Sequence, residues 1–364
     1  MTRRVHNFTP GPATLPLPVL QRIQEEFLDF NGLGASVLEI SHFSEDFKQV
    51  VHDCEALLRE LLEIPARYRI VFAHGGGSME FSMVPLNLIA RKPARKALYV
   101  ESGYFSESAL REGGRYGAAV VVASSRNTNY DRIPALDAAA LDPAASYLHI
   151  TTNNTMVGTR WRTFPQAGEI PLVGDATSEI LSRPMDISRF GVLYAAAQKN
   201  LGPSGISVAI VREDLLGHAL PVTPKMINYA QLARDHSLSN TANTFSIYVA
   251  RLMLQWVKTS GGVPAMEAAN ERKAALVYGA LDRHAGFYRP HARPEHRSTM
   301  NVTFRLPSAE LDDRFVAAAG GEGLYHLRGH RRFGGIRASL YNGMTVEGAQ
   351  ALAAFMEEFA RRNG

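Results

Sequence analysis

The sequence predicts an α/β fold with a mostly parallel sheet, followed by a smaller α+β unit. Short apolar runs of strand length alternate with helical segments and loops up to about residue 260, which is typical of parallel βα architecture. The chain of 364 residues exceeds what one ordinary hydrophobic core organises, so we expect two domains. The pattern changes at TSGGVP, residues 259–264, and we place the domain boundary near residue 260.

The elements before this boundary follow from hydrophobic periodicity and turn residues. Helices are predicted over residues 16–29 and 44–63, with Ser44 as a possible N-cap of the second, and further helices over 79–89 and 105–115. The segments of strand length are RIVFAH, ALYVESG, AAVVVAS, SYLHITT, IPLVGD, VLYAAA and ISVAIV. Because helices or loops separate these apolar segments, they favour a parallel sheet.

The elements near and beyond the boundary are of mixed type. The segment FSIYVARLMLQWVK is apolar on most sides, so we expect a buried helix there. Pro264 suits the first turn of a long helix that ends near Leu281. The sequence then predicts a strand at MNVTF, a helix over 308–319, strands at LYHL and GIRASL, and a final helix from Thr345.

Composition limits the classes of function. The apolar fraction of 46% and the charged fraction of 20% are typical of a soluble globular protein. The net charge is +4, but the basic residues are mostly scattered, so charge alone does not indicate nucleic-acid binding. A small positive net charge suits a mildly anionic substrate. The single cysteine, Cys54, forms no internal disulfide, so we expect a reducing compartment and a cytoplasmic location. No Cys/His cluster has zinc spacing, so we expect no metal site. The start of the chain lacks the apolar core of a signal peptide, and no apolar run approaches about 18 residues, so no membrane span is expected.

A lysine ends one of the apolar segments. In YAAAQKNLGPSG, Lys199 follows a predicted buried strand. Burial lowers the pKa of a lysine, and a neutral amine is a nucleophile that forms a Schiff base with an aldehyde. The alternative is a lysine that extends from the strand end to water, and this segment alone does not exclude it.

Two further segments favour the chemical interpretation. IPLVGDATS places Asp175 at the end of another predicted strand, where a carboxylate can keep the ring nitrogen of pyridoxal phosphate protonated; the alternative is a simple turn cap. AHGGGSMEF places a glycine-rich turn before a helix, and the N–H groups of such a turn attract phosphate. Asp175 and Lys199 are 24 residues apart, which allows both to lie at one edge of a sheet, where α/β ligand sites form.

Basic residues cluster near the C-terminus. The segment LRGHRRFGGIRASLYN contains Arg328, His330, Arg331, Arg332 and Arg337. Guanidinium groups bind carboxylates and phosphates through paired N–H donors. The alternatives are a solvated basic loop and a nucleic-acid patch, and the lack of interleaved aromatic residues argues against nucleic acid.

With these residues in place, the chain resembles the phosphoserine aminotransferase family, pyridoxal-phosphate enzymes of the class V aminotransferase group. The resemblance covers essentially the full length and rests on NFTPGPATLP, HGGGSMEFSMVPLN, YAAAQKNLGPSGISVAIVREDLLG, SNTANTFSIY and GHRRFGGIRASLYNGMTVEG. It implies the type I fold of pyridoxal-phosphate transferases, with a mainly parallel seven-stranded sheet in a large domain of residues 16–260. Residues 1–15 and 261–364 would form the small α+β domain. It also implies pyridoxal phosphate as cofactor and a homodimer with shared active sites.

The resemblance implies the cofactor contacts. Lys199 would bind the cofactor aldehyde as a Schiff base and move the proton in catalysis, and Asp175 would pair with the pyridine nitrogen. The other implied contacts are Gln198 beside the cofactor, Gly77 and Ser78 at its phosphate, Thr155 near the ring hydroxyl, Phe105 where many members have a stacking Trp, and Asn240 and Thr241 from the neighbouring subunit.

The resemblance also implies the substrate contacts. Arg337 would bind the α-carboxylate, and His330 and Arg331 would bind the side-chain phosphate or the distal carboxylate of glutamate. The family usually has Ser-His-Arg where this chain has Ser41-His42-Phe43, and the replaced arginine would normally help to hold the same anion across the dimer. Whether Arg332 compensates is open. The segments NNT at 153–155 and NTANTF at 240–245 also depart from the family pattern near the expected site.

These inferences predict transamination between glutamate and 3-phosphohydroxypyruvate, which gives 2-oxoglutarate and phosphoserine in serine biosynthesis. The alternative within the same chemistry is a paralogue that acts on another amino acid, because Phe43 replaces the family arginine. A desulfurase on this fold needs a mobile catalytic cysteine, and Cys54 lies in a predicted helix instead. A non-catalytic binding protein has no need for Lys199 together with Asp175 and two anion-binding arginines.

Overall fold

The computed structural model describes residues 4–364. Within this range the α-helices are α1 (Leu17–Glu26), α2 (Glu45–Leu61), α3 (Gly77–Leu88), α4 (Tyr104–Gly113), α5 (Tyr229–Arg234), α6 (Thr244–Thr259), α7 (Gly262–Arg283), α8 (Ala309–Gly321) and α9 (Val346–Asn363). The strands in the first part are β1 (His6–Asn7), β2 (Tyr68–His74), β3 (Lys96–Glu101), β4 (Ala118–Ser124), β5 (Leu148–Thr151), β6 (Asn153–Asn154) and β7 (Thr159–Arg160). Those that follow are β8 (Leu172–Asp175), β9 (Val192–Ala196), β10 (Ile206–Arg212), β11 (Arg289–Pro290), β12 (Asn301–Arg305), β13 (Leu324–Tyr325) and β14 (Ile336–Ser339).

The longer elements correspond to the predicted ones, and their ends differ by a few residues. Helix α1 ends at Glu26, three residues before the predicted end, and α7 begins at Gly262, two residues before Pro264. The Ser44 hydroxyl accepts a hydrogen bond from the backbone N–H of Phe47 at 3.2 Å, so the predicted N-cap of α2 is confirmed. The two-residue strands β1, β6, β7 and β11 and the six-residue helix α5 were not predicted, because such short elements show no periodicity; the strand predicted at LYHL is the two-residue β13.

A seven-stranded sheet forms the centre of the fold. Its strand order is β2-β10-β9-β8-β5-β3-β4. Strand β10 runs antiparallel to both of its neighbours, and the remaining pairs are parallel, so the predicted mainly parallel seven-stranded sheet is confirmed. Thr151, Asp175 and Tyr194 are aligned across β5, β8 and β9. The carboxyl ends of these three strands therefore meet at one edge.

Hydrophobic cores cover both faces of the sheet. Leu172 and Leu193 pack into one core with helices α2 and α6, whereas Val173 and Val192 pack into the opposite core with helix α3. This alternation follows from the two-residue period of a strand. The buried helix predicted for 245–258 is α6.

A separate core joins the C-terminal elements to the N-terminal segment. It contains residues of α7, α8, α9, β12 and β14, together with Phe8. Strand β1 pairs with β13 in the same region. The division into residues 16–260 and residues 1–15 with 261–364 stays a prediction, and residues 1–3 lie outside the described range. No helix in residues 4–364 has both the length and the apolar character needed to cross a membrane.

Helix α3 is attached to the sheet through a buried carboxyl group. The Glu80 side chain is fully buried and accepts hydrogen bonds from the Ser207 hydroxyl of β10 at 2.7 Å and the Tyr229 hydroxyl of α5 at 2.6 Å. Burial raises the pKa of Glu80 to about 7; the two hydroxyl groups oppose this shift, and the charge of Asp175 adds to it.

We predict that Glu80→Gln removes a pH dependence of stability. Because the pKa of Glu80 is higher in the folded than in the unfolded protein, the folded state binds the extra proton between about pH 4.5 and pH 7. The free energy of unfolding of the parent should therefore fall by about 3 kcal/mol relative to that of the variant as the pH rises through this window. Urea unfolding at several pH values measures this difference. Glu310→Gln, which neutralises an exposed carboxylate on α8, is the matched control. Parallel curves for the parent and Glu80→Gln would contradict the prediction.

Candidate active site

A cavity lies at the sheet edge where β5, β8 and β9 end. Seven residues predicted from the sequence line it: Gly77, Ser78, Phe105, Thr155, Asp175, Gln198 and Lys199. The cavity is also lined by Phe81, Thr151, Asn153, Thr177 and Ser178, which sequence reasoning missed. Four of these five lie at the end of β5 or β8 or within three residues after it, so their position close to a strand end was the signal available in the sequence.

Lys199 is buried within this cavity. Its side chain is 4% exposed, which excludes the alternative in which it extends to water. The amine donates a hydrogen bond to the Thr155 hydroxyl at 2.7 Å and lies 5.3 Å from the centre of the Phe105 ring. Burial lowers the pKa of Lys199 to about 8; the charge of Asp175 raises it, and that of Arg337 lowers it further. About a tenth of the amine is therefore neutral at pH 7, far more than for a lysine with an ordinary pKa.

Asp175 ends strand β8 and is also 4% exposed. One carboxylate oxygen accepts a hydrogen bond from the backbone N–H of Thr177 at 3.0 Å. Burial raises the pKa of Asp175, while the hydrogen bonds from Thr177 and the charge of Lys199 oppose the shift. The backbone contact fixes the carboxylate within the cavity instead of leaving it as a solvated turn cap.

The N-terminus of helix α3 supplies the third part of the cavity. Gly76 is its N-cap, and no side chain accepts a hydrogen bond from the first turn. A Cβ atom at Gly77 would lie 3.3 Å from the Thr177 hydroxyl, tighter than ordinary van der Waals contact, and Gly75 has a φ of +102° that favours glycine. The turn thus presents free backbone N–H groups and the positive end of the helix dipole, an arrangement that attracts phosphate.

Arg337 on strand β14 is a buried cation with spare donors. It is 5% exposed, one of its terminal nitrogens lies 2.8 Å from the Met156 sulfur, and its Nε has no hydrogen-bond partner. Burial lowers the pKa of Arg337, partly offset by Tyr341. A buried N–H without a partner is costly, so this guanidinium suits an anionic ligand.

The loop between β13 and β14 carries the other predicted basic residues. The His330 ring lies 5.1 Å from the Tyr104 ring, and Arg331 is exposed. Arg332 instead forms a two-pronged ion pair with Glu107 on α4, with N–O distances of 2.6 and 2.8 Å. Neither His330, Arg331 nor Arg337 is among the residues that line the cavity around Lys199.

Four further predicted residues lie outside this cavity in the single chain. His42 is buried with an unpartnered Nε2, and its ring centre is 3.9 Å from that of the 64% exposed Phe43. The Asn240 amide contacts the His74 ring at 2.9 Å, and Thr241 is exposed. The structure therefore does not bring these four side chains to Lys199 within one chain.

Comparisons with known proteins point to one family. The sequence model of the class-V aminotransferases matches residues 5–352. The chain is 48% identical over 360 residues to a phosphoserine aminotransferase of Geobacillus kaustophilus, covering 99% of each protein. A solved phosphoserine aminotransferase of Bacillus circulans subsp. alkalophilus is 43% identical, with a TM-score of 0.96 and full coverage of both chains. A phosphoserine aminotransferase from Trichomonas vaginalis, solved with pyridoxal phosphate bound, is 34% identical with a TM-score of 0.92, covering 97% of this chain and all of that one.

Proposed function

The chain belongs to the class-V aminotransferase family, and on that premise we propose that it transfers the amino group between glutamate and 3-phosphohydroxypyruvate, forming 2-oxoglutarate and phosphoserine. The family resemblance and the assignment as an aminotransferase are confirmed. The observation that carries the proposal is the buried pair of Lys199 and Asp175 in one cavity beside the free N-terminus of α3. Relatives that match this sequence over its full length are phosphoserine aminotransferases, which supports phosphoserine as the substrate.

The cavity fits pyridoxal phosphate, the cofactor of this enzyme. When bound, its ring acts as an electron sink for the bonds at the substrate α-carbon. Lys199 offers the amine that would hold the cofactor aldehyde, and Asp175 offers a carboxylate for the ring nitrogen. The remaining contacts would be Gly77 and Ser78 with the phosphate, Phe105 with the ring face, and Thr155 and Gln198 with the ring edge.

The properties of Lys199 suit proton transfer. An amine with a pKa of about 8 accepts and returns a proton near neutral pH without a large barrier. Thr155 accepts a hydrogen bond from the amine and so orients it within the cavity. Lys199 Nζ would thus take the proton from the substrate α-carbon and return it one step later.

The basic groups near the cavity suit a substrate with two anionic ends. Arg337 would bind the α-carboxylate, because it is buried and its Nε has no partner. His330 and Arg331 would bind the side-chain phosphate or, in the other half-reaction, the distal carboxylate of glutamate. The alternative is a paralogue for a less charged amino acid, favoured by the apolar Phe43 in the place of the family arginine.

The proposal includes a homodimer with shared sites in the cytoplasm. The segment from Leu28 to Phe43 exposes the apolar side chains of Leu28, Leu33, Leu38 and Phe43, and such a concentration of apolar surface supports a partner. In a dimer, Asn240 and Thr241 would reach the cofactor phosphate of the partner subunit. The single buried thiol of Cys54 suits a reducing compartment.

We predict that the holoenzyme converts phosphoserine to 3-phosphohydroxypyruvate in a half-reaction without an acceptor, with a higher kcat/KM than for serine or alanine.

Lys199→Ala should lower multiple-turnover transamination by roughly a thousand-fold or more, because the proton carrier is lost. Borohydride should fix the cofactor to Lys199 in the parent, as seen by peptide mass spectrometry. Lys258→Ala, at an exposed lysine paired with Glu60, is the control that should keep full activity. A parent inert to phosphoserine but fast with another amino acid would favour the paralogue.

We predict that Phe43→Arg raises kcat/KM for phosphoserine up to about a hundred-fold, the scale of one charge-assisted hydrogen bond. The reason is that a guanidinium can bind the distal phosphate, whereas an aromatic ring cannot. Phe43→Leu keeps an apolar side chain without charge and should give no gain. If Phe43→Arg instead weakens the reaction with the preferred substrate, the pocket is adapted to a less charged side chain.

We predict that activity returns when two inactive variants exchange subunits. One variant is Lys199→Ala, and the other is Asn240→Asp with Thr241→Asp, which places carboxylates opposite the cofactor phosphate. If each site uses both chains, one site of every mixed dimer is intact, so random exchange should restore about a quarter of the parental activity. Mass spectrometry under native conditions verifies the exchange. Proven exchange without recovery would argue against shared sites.

A further inference from the structure

A salt bridge connects the loop that carries His330 and Arg331 to the helix that carries Phe105. Arg332 Nη1 lies 2.6 Å from Glu107 Oε2, and Arg332 Nη2 lies 2.8 Å from Glu107 Oε1. This paired geometry is directional, since the guanidinium and the carboxylate must be nearly coplanar. It joins residues that are 225 positions apart in the sequence.

Glu107 is held in place independently of Arg332. The Tyr130 hydroxyl donates a hydrogen bond to the same carboxylate, and a terminal nitrogen of Arg126 lies 3.7 Å from it. Arg126 is in turn bound to Tyr130 at 3.2 Å and to Glu101 at 2.5 Å. Burial alone would raise the pKa of Glu107, but the contacts with Arg332, Tyr130 and Arg126 lower it below the ordinary value. The carboxylate is thus a fixed, ionised anchor on α4.

Apolar contacts surround this anchor. The Phe333 ring is buried and lies 6.4 Å from the Tyr130 ring, in a small cluster that also contains Val157 and Met156. On the other side of Arg332 in the sequence, the His330 ring packs against Tyr104. The loop from 330 to 333 therefore contacts the rest of the protein through His330, Arg332 and Phe333, whereas Arg331 is left exposed.

Residues adjacent to these contacts also line the cavity around Lys199. Tyr104 precedes Phe105, which packs over the Lys199 amine, and Met156 follows Thr155, which accepts the hydrogen bond of that amine. The Met156 sulfur also contacts Arg337. The basic loop and the cavity around Lys199 are therefore connected by two sets of contacts, one through α4 and one through residues 155–157.

We propose that Glu107 and Arg332 are positioning residues, which hold His330 and Arg331 at the place where the distal anion of the substrate binds, and that Arg332 is not itself a ligand of that anion. This inference rests on the proposed function, because it assumes an amino-acid substrate with a distal anion. Under this proposal Arg332 does not compensate for the arginine replaced by Phe43, because the Arg332 guanidinium is already paired with Glu107.

Two roles for Arg332 predict opposite effects of Glu107→Gln. If the pair positions the loop, loss of the carboxylate charge weakens substrate binding. If Arg332 is a reserve ligand restrained by Glu107, the same change releases it toward the substrate and strengthens binding. The sign of the change in KM therefore distinguishes the two roles.

The experiment compares the holoenzyme with Glu107→Gln, Arg332→Gln, the double variant and Arg332→Lys, using phosphoserine, glutamate and alanine as amino donors. Each single variant should raise KM for phosphoserine and glutamate about three- to ten-fold, with kcat at saturation and KM for alanine nearly unchanged. The double variant should be no worse than the worse single variant, because both changes remove one contact. Arg332→Lys, which keeps the charge without the paired donors, should be intermediate.

Arg328→Gln is the matched control, since it removes an exposed ion pair with Asp313 from the same loop. It should leave every constant unchanged. Lower KM values in Glu107→Gln, or equal losses for alanine and the anionic donors, would overturn the proposal. Failure of the proposed function is distinguishable: a parent inert to phosphoserine refutes that substrate, while the comparison of glutamate with alanine still decides the role of the pair.

Discussion

The site depends on the burial of an amine and a carboxylate in one cavity at the end of a sheet. Burial lowers the pKa of Lys199 and raises that of Asp175, and each group opposes the shift of the other through its charge. Neither side chain is exposed enough for water to replace its partner. The two groups influence each other through their charges within one cavity, while their direct hydrogen bonds join Lys199 to Thr155 and Asp175 to Thr177. The fold must therefore hold the ends of β8 and β9 together. A cofactor with a polar ring and an aldehyde can use both groups, the carboxylate at its ring nitrogen and the amine at its aldehyde.

Hydrophobic packing fixes where the strand ends lie. Leu172 and Val173 pack into cores on opposite faces of the sheet, so a shift of β8 by one residue would move each side chain into the opposite core and Asp175 to the opposite face. Asp175 lies two residues beyond Val173 and thus on the same face of the strand, next to Tyr194 of β9. On that face α3 is attached to the sheet through Glu80. The apolar cores hence position the carboxylate, the amine and the helix end, and the polar contacts refine them.

Local patterns in the sequence were sufficient for most of the fold and for part of the site. Apolar runs marked the strands, and Lys199 and Asp175 were recognisable because each follows such a run. The reversed direction of β10 was not predictable, since an apolar run carries no information on strand polarity. The contacts of Glu80 with Ser207 and Tyr229 span 127 and 149 residues, and that of Glu107 with Arg332 spans 225, so no local pattern reports them. The roles of Asn240 and Thr241 depend on a second chain and stay predictions.

The charges around the basic loop show why a positioned loop matters for a doubly anionic substrate. Burial lowers the pKa of His330, and the positive charges of Arg337, Arg331 and Arg332 lower it further, so the imidazole is mainly neutral near neutral pH. Arg332 is neutralised by Glu107, and Phe43 contributes no charge. Arg331 then remains as the one uncompensated cation of the segment 330–332, with His330 beside it as a neutral hydrogen-bonding group. A site with a single full charge gains little from long-range attraction at physiological ionic strength, and depends on how well its donors are aligned with the anion. Under the proposed function, a phosphate bound beside His330 would favour the protonated imidazole, so the second charge would form only when His330 lies within hydrogen-bonding distance of the phosphate.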